Sequence, residues 1–202
     1  MANALKEQGQ KDDGSKLRVD LIPAGPLARV LEHCETGTGT AVEVWPTIQQ
    51  LLQFRAQPEH VGAALVALEL AVSACIEMAC CELVINDDGH AELNMFAGNA
   101  ARGIQFIAKV LHYGAYLAPR PNGTKGYGES NWQQVADGVR RYYAAMLRHL
   151  LALAGGQEND PESGLPHAAH AATCGLFLLH VLEHPSEADR LAARPLVGGA
   201  EV

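Results

Sequence analysis

"VGAALVALELAVSACIEMAC", residues 61 to 80, decides the architecture. The run is too long for a strand and is apolar on nearly every face, so it reads as a buried helix over about 59 to 81. Glu69 and Glu77 lie inside it and Glu82 follows it, three charges that a membrane span would carry at high cost. A helix of this kind belongs at the centre of a domain or at an oligomer interface. Buried carboxylates need partners, so Glu69 and Glu77 are either members of structural ion pairs or half of a second site.

Reading outward, the flanking segments are also helical. Leu27, Val30 and Leu31 have helical spacing, with Pro26 near the start. "TIQQLLQF" (47–54) is a short amphipathic helix, and "ETGTGTAVE" (35–43) is a loop. "ELVINDDGHAELNMF" (82–96) is either a small hairpin turning at Asp88-Gly89 or a helix end with a loop. "GIQFIAKVLHYGAYL" (103–117) is a helix, and "APRPNGTKGYGESNW" (118–132) is a loop. Val135, Val139, Tyr143, Met146 and Leu150 predict a helix over 133 to 154, stopped by Gly155-Gly156. A last helix runs from about Pro166 to His184, ended by Pro185. With no internal repeat and no series of strands, the expected fold is mostly α. It is a helical bundle in one domain over 17 to 185, between a flexible segment (1–16) and a loose tail (186–202).

Composition narrows function. The 202 residues carry a formal net charge of −8 with 15 Lys and Arg, too little positive field to track a nucleic-acid polymer. A small phosphate ligand held by local cations remains open. The N-terminus lacks an apolar signal region, and the five cysteines form no C-x-x-C pair, which fits a reducing, cytoplasmic setting.

The chemistry concentrates in "DPESGLPHAAHA" (160–171). Ser163 and Pro166 suit a helix start, which puts His167 and His170 three apart on one face, with Cys174 one turn further along. Asp160 and Glu162 precede that start. Mixed nitrogen and oxygen donors suit Mn, Zn, Co or Fe. The plainer alternative is an acidic helix cap beside two hydrogen-bonded histidines. On the preceding helix Arg141 and Arg148 share a face, and an antiparallel neighbour would bring Arg148 and His149 to the acidic cluster. The loop before it offers Lys125, Glu129, Asn131 and Trp132, with Trp132 free either to stack on a base or to plug the core.

Several stretches together resemble a known family. "KDDGSKLRVDLIP" (11–23), "YGA" (113–115), "KGYGESNWQQV" (125–135), "YYAAMLRHLLA" (142–152) and "DPESGLPHAAHAATCGLFLL" (160–179) look like the phage dATP/dGTP diphosphohydrolases. That family is similar to the all-α MazG-like nucleotide pyrophosphohydrolases, and the likeness is of the MazZ type. The segment from about 27 to 105 is diverged or inserted relative to the pattern, and Cys174 stands where the family has Asn. Of the MazG-type signature only Glu32-x-x-Glu35 is present, which leaves Glu32, Glu35, Glu69 and Glu77 as alternative ligands.

The resemblance implies hydrolysis of a purine deoxynucleoside triphosphate, dGTP favoured, to the monophosphate and pyrophosphate with Mn or Mg. The dGMP would serve 2-aminoadenine synthesis. On this reading Asp160, Glu162, His167 and His170 hold the metal, and Glu129, Glu162 and Arg148 are catalytic. Lys16, Arg18, Lys125, Asn131, Trp132, Arg148 and His149 bind substrate. The chain is expected to form a dimer or tetramer and to touch neither membrane nor nucleic-acid polymer. Two rival classes are an HD-type phosphohydrolase, which expects an adjacent His-Asp pair absent from this chain, and a non-catalytic helical binding module.

Overall fold

The computed structural model describes residue 18 and residues 21–35, 44–56, 61–79, 82–85, 91–94 and 100–185. Six α-helices carry the described fold: α1 (Ala24–Glu35), α2 (Val44–Ala56), α3 (Val61–Met78), α4 (Ala100–His112), α5 (Gly138–Ala154) and α6 (His167–Glu183). Two short strands, β1 (Glu82–Ile85) and β2 (Ala91–Asn94), pair antiparallel between α3 and α4, with Glu82 opposite Asn94. This is the mostly α fold expected, and of the two readings of 82–96 the hairpin is the one formed. Its turn and the segments 1–16 and 186–202 lie outside the described residues, as does the expected 35–43 loop apart from Glu35, which ends α1.

The core forms around α6 and α3. On α6, Ala169, Ala171, Ala172, Leu176, Leu178 and Leu179 are wholly buried. Small residues let the neighbours come close: a Cβ on Gly175 would lie 2.3 Å from Val72 Cγ2 of α3. Against this seam α3 buries Leu68, Ala71, Val72, Cys75 and Ile76. Glu69, inside the same helix, is an ion-pair residue: its Oε1 accepts from Arg29 Nε at 2.7 Å, and His33 Nε2 lies 3.5 Å from Oε2. Arg29 also pairs with Glu183 of α6, so the carboxylate ties α1 to α3 and, through Arg29, to α6. The side chains of Glu32 and Glu35 lie outside the described set.

One helix starts later than its periodicity implies. The expected 133–154 helix divides into a 3-10 turn over Asn131–Gln134 and α5 from Gly138. Val135 is extended (φ −70°, ψ 112°) and Asp137 is left-handed (φ 55°, ψ 42°), which breaks the ladder between them. At the other end α4 passes into a π-helical turn, Tyr113–Leu117, closed by Ala118 N–H on Tyr113 O at 2.8 Å. The loop after it folds back onto that turn. Gly126 (φ 70°) passes so close that a Cβ would sit 2.2 Å from Ala115 O, so only glycine serves there.

Candidate metal centre and adjoining cavity

α5 and α6 are antiparallel neighbours joined by residues 155–166, so the last turns of α5 face the first turns of α6. The joining loop is pinched at its base: His167 N–H donates to Glu158 O at 2.9 Å, and Asp160 N–H to Leu165 O at 2.9 Å. Gly164 takes the bend at φ 70°. Asp160 is thereby folded over the start of α6. Its Oδ2 accepts the Ser163 N–H at 2.9 Å and lies 3.9 Å from His170 Nε2.

The structure gathers His149, Asp160 and His167, one donor atom from each lying within 4.8 Å of the others. His149 comes from α5, Asp160 from the loop and His167 from the first residue of α6. The Nδ1 atoms of His149 and His167 are 2.8 Å apart. His167 is buried, and its Nε2 has no hydrogen-bond partner among the described residues. Here the geometry differs from the expected set. The Glu162 carboxylate is not one of the trio and accepts the Tyr113 hydroxyl at 3.1 Å. His170 Nε2 is taken by Ser163 Oγ at 2.7 Å, and its ring stacks on His149 at 4.8 Å. His149, expected to bind substrate, stands in the trio instead.

The electrostatics suit neutral imidazoles. Burial, then the neighbouring His170 and His167, pushes His149 down to about 4. Burial also lowers His167 and His170, against the pull of Asp160. For Asp160 burial works to raise the carboxyl, but the Ser163 bonds and the imidazoles prevail and hold it below the usual carboxylate range. Two neutral imidazoles, a carboxylate and a buried nitrogen lacking a partner are donors that fit a divalent cation.

A cavity of about 580 Å³ opens beside the trio, meeting it through His170 and Arg148. Val110, Leu111, Val135, Tyr142 and Phe177 give it apolar walls, and Arg140, Arg141 and Arg148 bring cations. Asn131, Trp132, Glu129 and Cys174 line it as well, whereas Lys125 does not. Trp132 lies flat against Phe177 (centroids 4.3 Å, 5° between planes), so one indole face is already packed. Glu129 is held by Arg18 Nη1 at 2.8 Å and by the Tyr116 hydroxyl. Lys16 lies outside the described residues. Burial raises the Cys174 thiol to about 12, so it lines the cavity as a neutral group. Tyr113, Tyr116 and Phe177 also serve the site without having been among the expected site residues; of the three, Tyr113 lies in the "YGA" motif and Tyr116 directly follows it.

Fold and site together define an α-helical domain with a candidate cation centre at the mouth of a cation-lined cavity. The family model described as dATP/dGTP diphosphohydrolase, N-terminal, matches residues 84–190, just over half of the sequence, and the chain belongs to that family. A dATP/dGTP diphosphohydrolase of Salmonella phage PMBT28 is 39% identical over 69 residues, which are 34% of this chain and 23% of that protein. The similarity therefore spans less than a quarter of that relative's length. No solved structure matches.

Proposed function

We propose that the chain hydrolyses a purine deoxynucleoside triphosphate, dGTP favoured, to the monophosphate and pyrophosphate, with His149, Asp160 and His167 holding a divalent metal, Mn or Mg. The observation that carries this is the buried, unpartnered His167 Nε2 in a two-imidazole, one-carboxylate trio beside a cavity edged with arginine. The family membership and the name of the phage relative support the reaction. A divalent ion there would supply positive charge against phosphate oxygens and a more acidic bound water.

The chain's own groups do the rest. Arg148, between trio and cavity, binds the phosphates with a planar guanidinium fork. Ser163 orients His170 at the cavity's edge. Arg18 and Tyr116 fix Glu129, which in this reading fastens the loop over the cavity. Tyr113 braces the loop carrying Asp160 through both the carboxylate and the carbonyl of Glu162.

The monophosphate product would enter 2-aminoadenine synthesis in a phage that makes that base. Assembly into a homo-oligomer is supported by the exposed Trp45 and Leu52 of α2 and Val66 and Leu70 of α3. Among the described residues no helix is long and apolar enough to cross a membrane. The test is product analysis with dGTP and Mn. Formation of dGMP and pyrophosphate is expected. Orthophosphate with dGDP, or tripolyphosphate with deoxyguanosine, refutes cleavage between the α and β phosphorus atoms.

A further inference from the structure

The cavity beside the trio has a donor and acceptor inventory that decides what it can read. Its 580 Å³ is within the range of small-molecule sites, and its walls are mostly apolar. Three hydroxyl-bearing residues line it, Tyr127, Tyr142 and Thr173. Each hydroxyl has one proton, and each proton is already committed to a carbonyl, which can only accept. Thr173 Oγ1 donates to Ala169 O at 2.8 Å, the Tyr142 hydroxyl donates to Trp132 O, and the Tyr127 hydroxyl donates to Pro119 O at 3.4 Å. Toward a ligand these oxygens therefore offer lone pairs and no proton. Cys174, a neutral thiol in the same wall, is a weak donor at best.

Position assigns the Tyr142 and Thr173 oxygens to the nucleoside end. Tyr142 is seven residues before His149 on α5, about 10 Å along the helix axis. Thr173 is six residues after His167 on α6, about 9 Å. The trio is therefore at one end and the aromatic wall of Tyr142 and Phe177 at the other, with Arg148 and His170 toward the trio end. Resting on the nucleotide reading above, we propose that this cavity holds the base of the substrate and selects bases carrying an exocyclic amino group, with Thr173 Oγ1 and Tyr142 Oη as the acceptors. A ring nitrogen or carbonyl presented to the same oxygens would meet lone pair with lone pair, and a buried acceptor without a donor is penalised. Adenine and guanine both carry the required amine.

The test is equilibrium binding by titration calorimetry on the full chain, without metal and without triphosphate. 2′-Deoxyadenosine is compared with purine 2′-deoxyriboside, which lacks only the amino group, and 2′-deoxyguanosine is run beside them. The amino nucleosides are expected to bind about tenfold more tightly, and the preference should fall below about threefold in Thr173→Val and in Tyr142→Phe. Thr173→Ser retains the oxygen and should retain the preference. Equal binding of the two purine nucleosides by the unaltered chain overturns the proposal, as does a preference that survives both variants or an absence of binding by every nucleoside. Because the measurement needs no turnover, the two readings separate. Triphosphate hydrolysis without the amino preference sinks the cavity assignment alone, and the preference without hydrolysis sinks the enzymatic reading alone.

Discussion

Replacing His167 with leucine should leave the metal-free protein about as stable as the parent and abolish its stabilisation by metal. His167 is 4% exposed, and its Nε2 is buried without a partner. An unsatisfied buried polar group costs about 1–3 kcal/mol, which the substitution recovers. The lost bond to His149 Nδ1 was contributing about 0.5–1.5 kcal/mol. Leucine has similar bulk, so the cavity term is small. Against the gain also stands the His149 Nδ1 left without its partner, about 1–3 kcal/mol if it stays dry, so the effects largely offset and His167→Leu in EDTA should unfold within about 1–2 kcal/mol of the parent. Metal separates the two. At a hundred times its dissociation constant, Mn stabilises a one-site protein by about 2.7 kcal/mol, or roughly 5–10 °C in midpoint for a chain of this size. That increment should vanish in the variant. Urea unfolding in EDTA and in Mn, followed by circular dichroism, gives all four numbers. A variant several kcal/mol weaker in EDTA would show that His167 has a structural role alone, and a variant keeping the Mn increment would remove it from the ligand set.

Three further outcomes follow from the same coordinates. Glu162→Gln should bind Mn as the parent does, because that carboxylate faces Tyr113, whereas Asp160→Asn should lose at least tenfold in affinity; the opposite order in a Mn titration would restore the ligand set expected from the motif. Stability should fall as pH drops from about 6.5 to about 4: His149 is lowered from 6.5 to about 4 and His167 and His170 are lowered too, so the unfolded chain takes up more protons in that window, and the full contribution is present only above it. Urea midpoints in metal-free buffer that stay flat across those pH values contradict the burial of these rings. Gly103→Ala should cost about 2 kcal/mol, since its Cβ would lie 2.1 Å from Ile76 O and the gain in helix propensity, about 1 kcal/mol, does not offset a shift of backbone; an unchanged urea midpoint would mean that α3 and α4 pack further apart.

Much of the fold was legible because burial in helices leaves a period. Leu68, Val72, Cys75 and Ile76 recur at the spacing of a helix and are all buried in α3. Pro166 and Pro185 bracket α6 for steric reasons that hold in any context. The start of α5 was not legible, because Val135 continues the apolar period although its backbone is extended. Periodicity records which side chains face the core and says nothing about a left-handed residue such as Asp137, which sets the start of α5. Glu69 shows the same limit from the other side: its burial was predictable, but its partners Arg29 and His33 are about forty residues away in sequence.

The site divides along the same line. Spacing of three puts His167 and His170 on one helical face, and the bend at Gly164-Leu165-Pro166 brings Asp160 to them. Direction within that face depends on neighbours that no spacing rule contains. Ser163, read as a helix cap, spends its hydroxyl on His170, so that ring's Nε2 is already engaged although it lies 3.9 Å from Asp160 Oδ2. Tyr113, nearly fifty residues earlier, does the same to Glu162. The place left beside Asp160 and His167 is filled by His149, which arrives only because α5 and α6 are antiparallel and closely packed. A motif therefore concentrates candidate donors, while the second interaction of each donor decides which of them remain to face an ion. By that criterion His167 stands apart, since one nitrogen meets His149 and the other has no partner among the described residues.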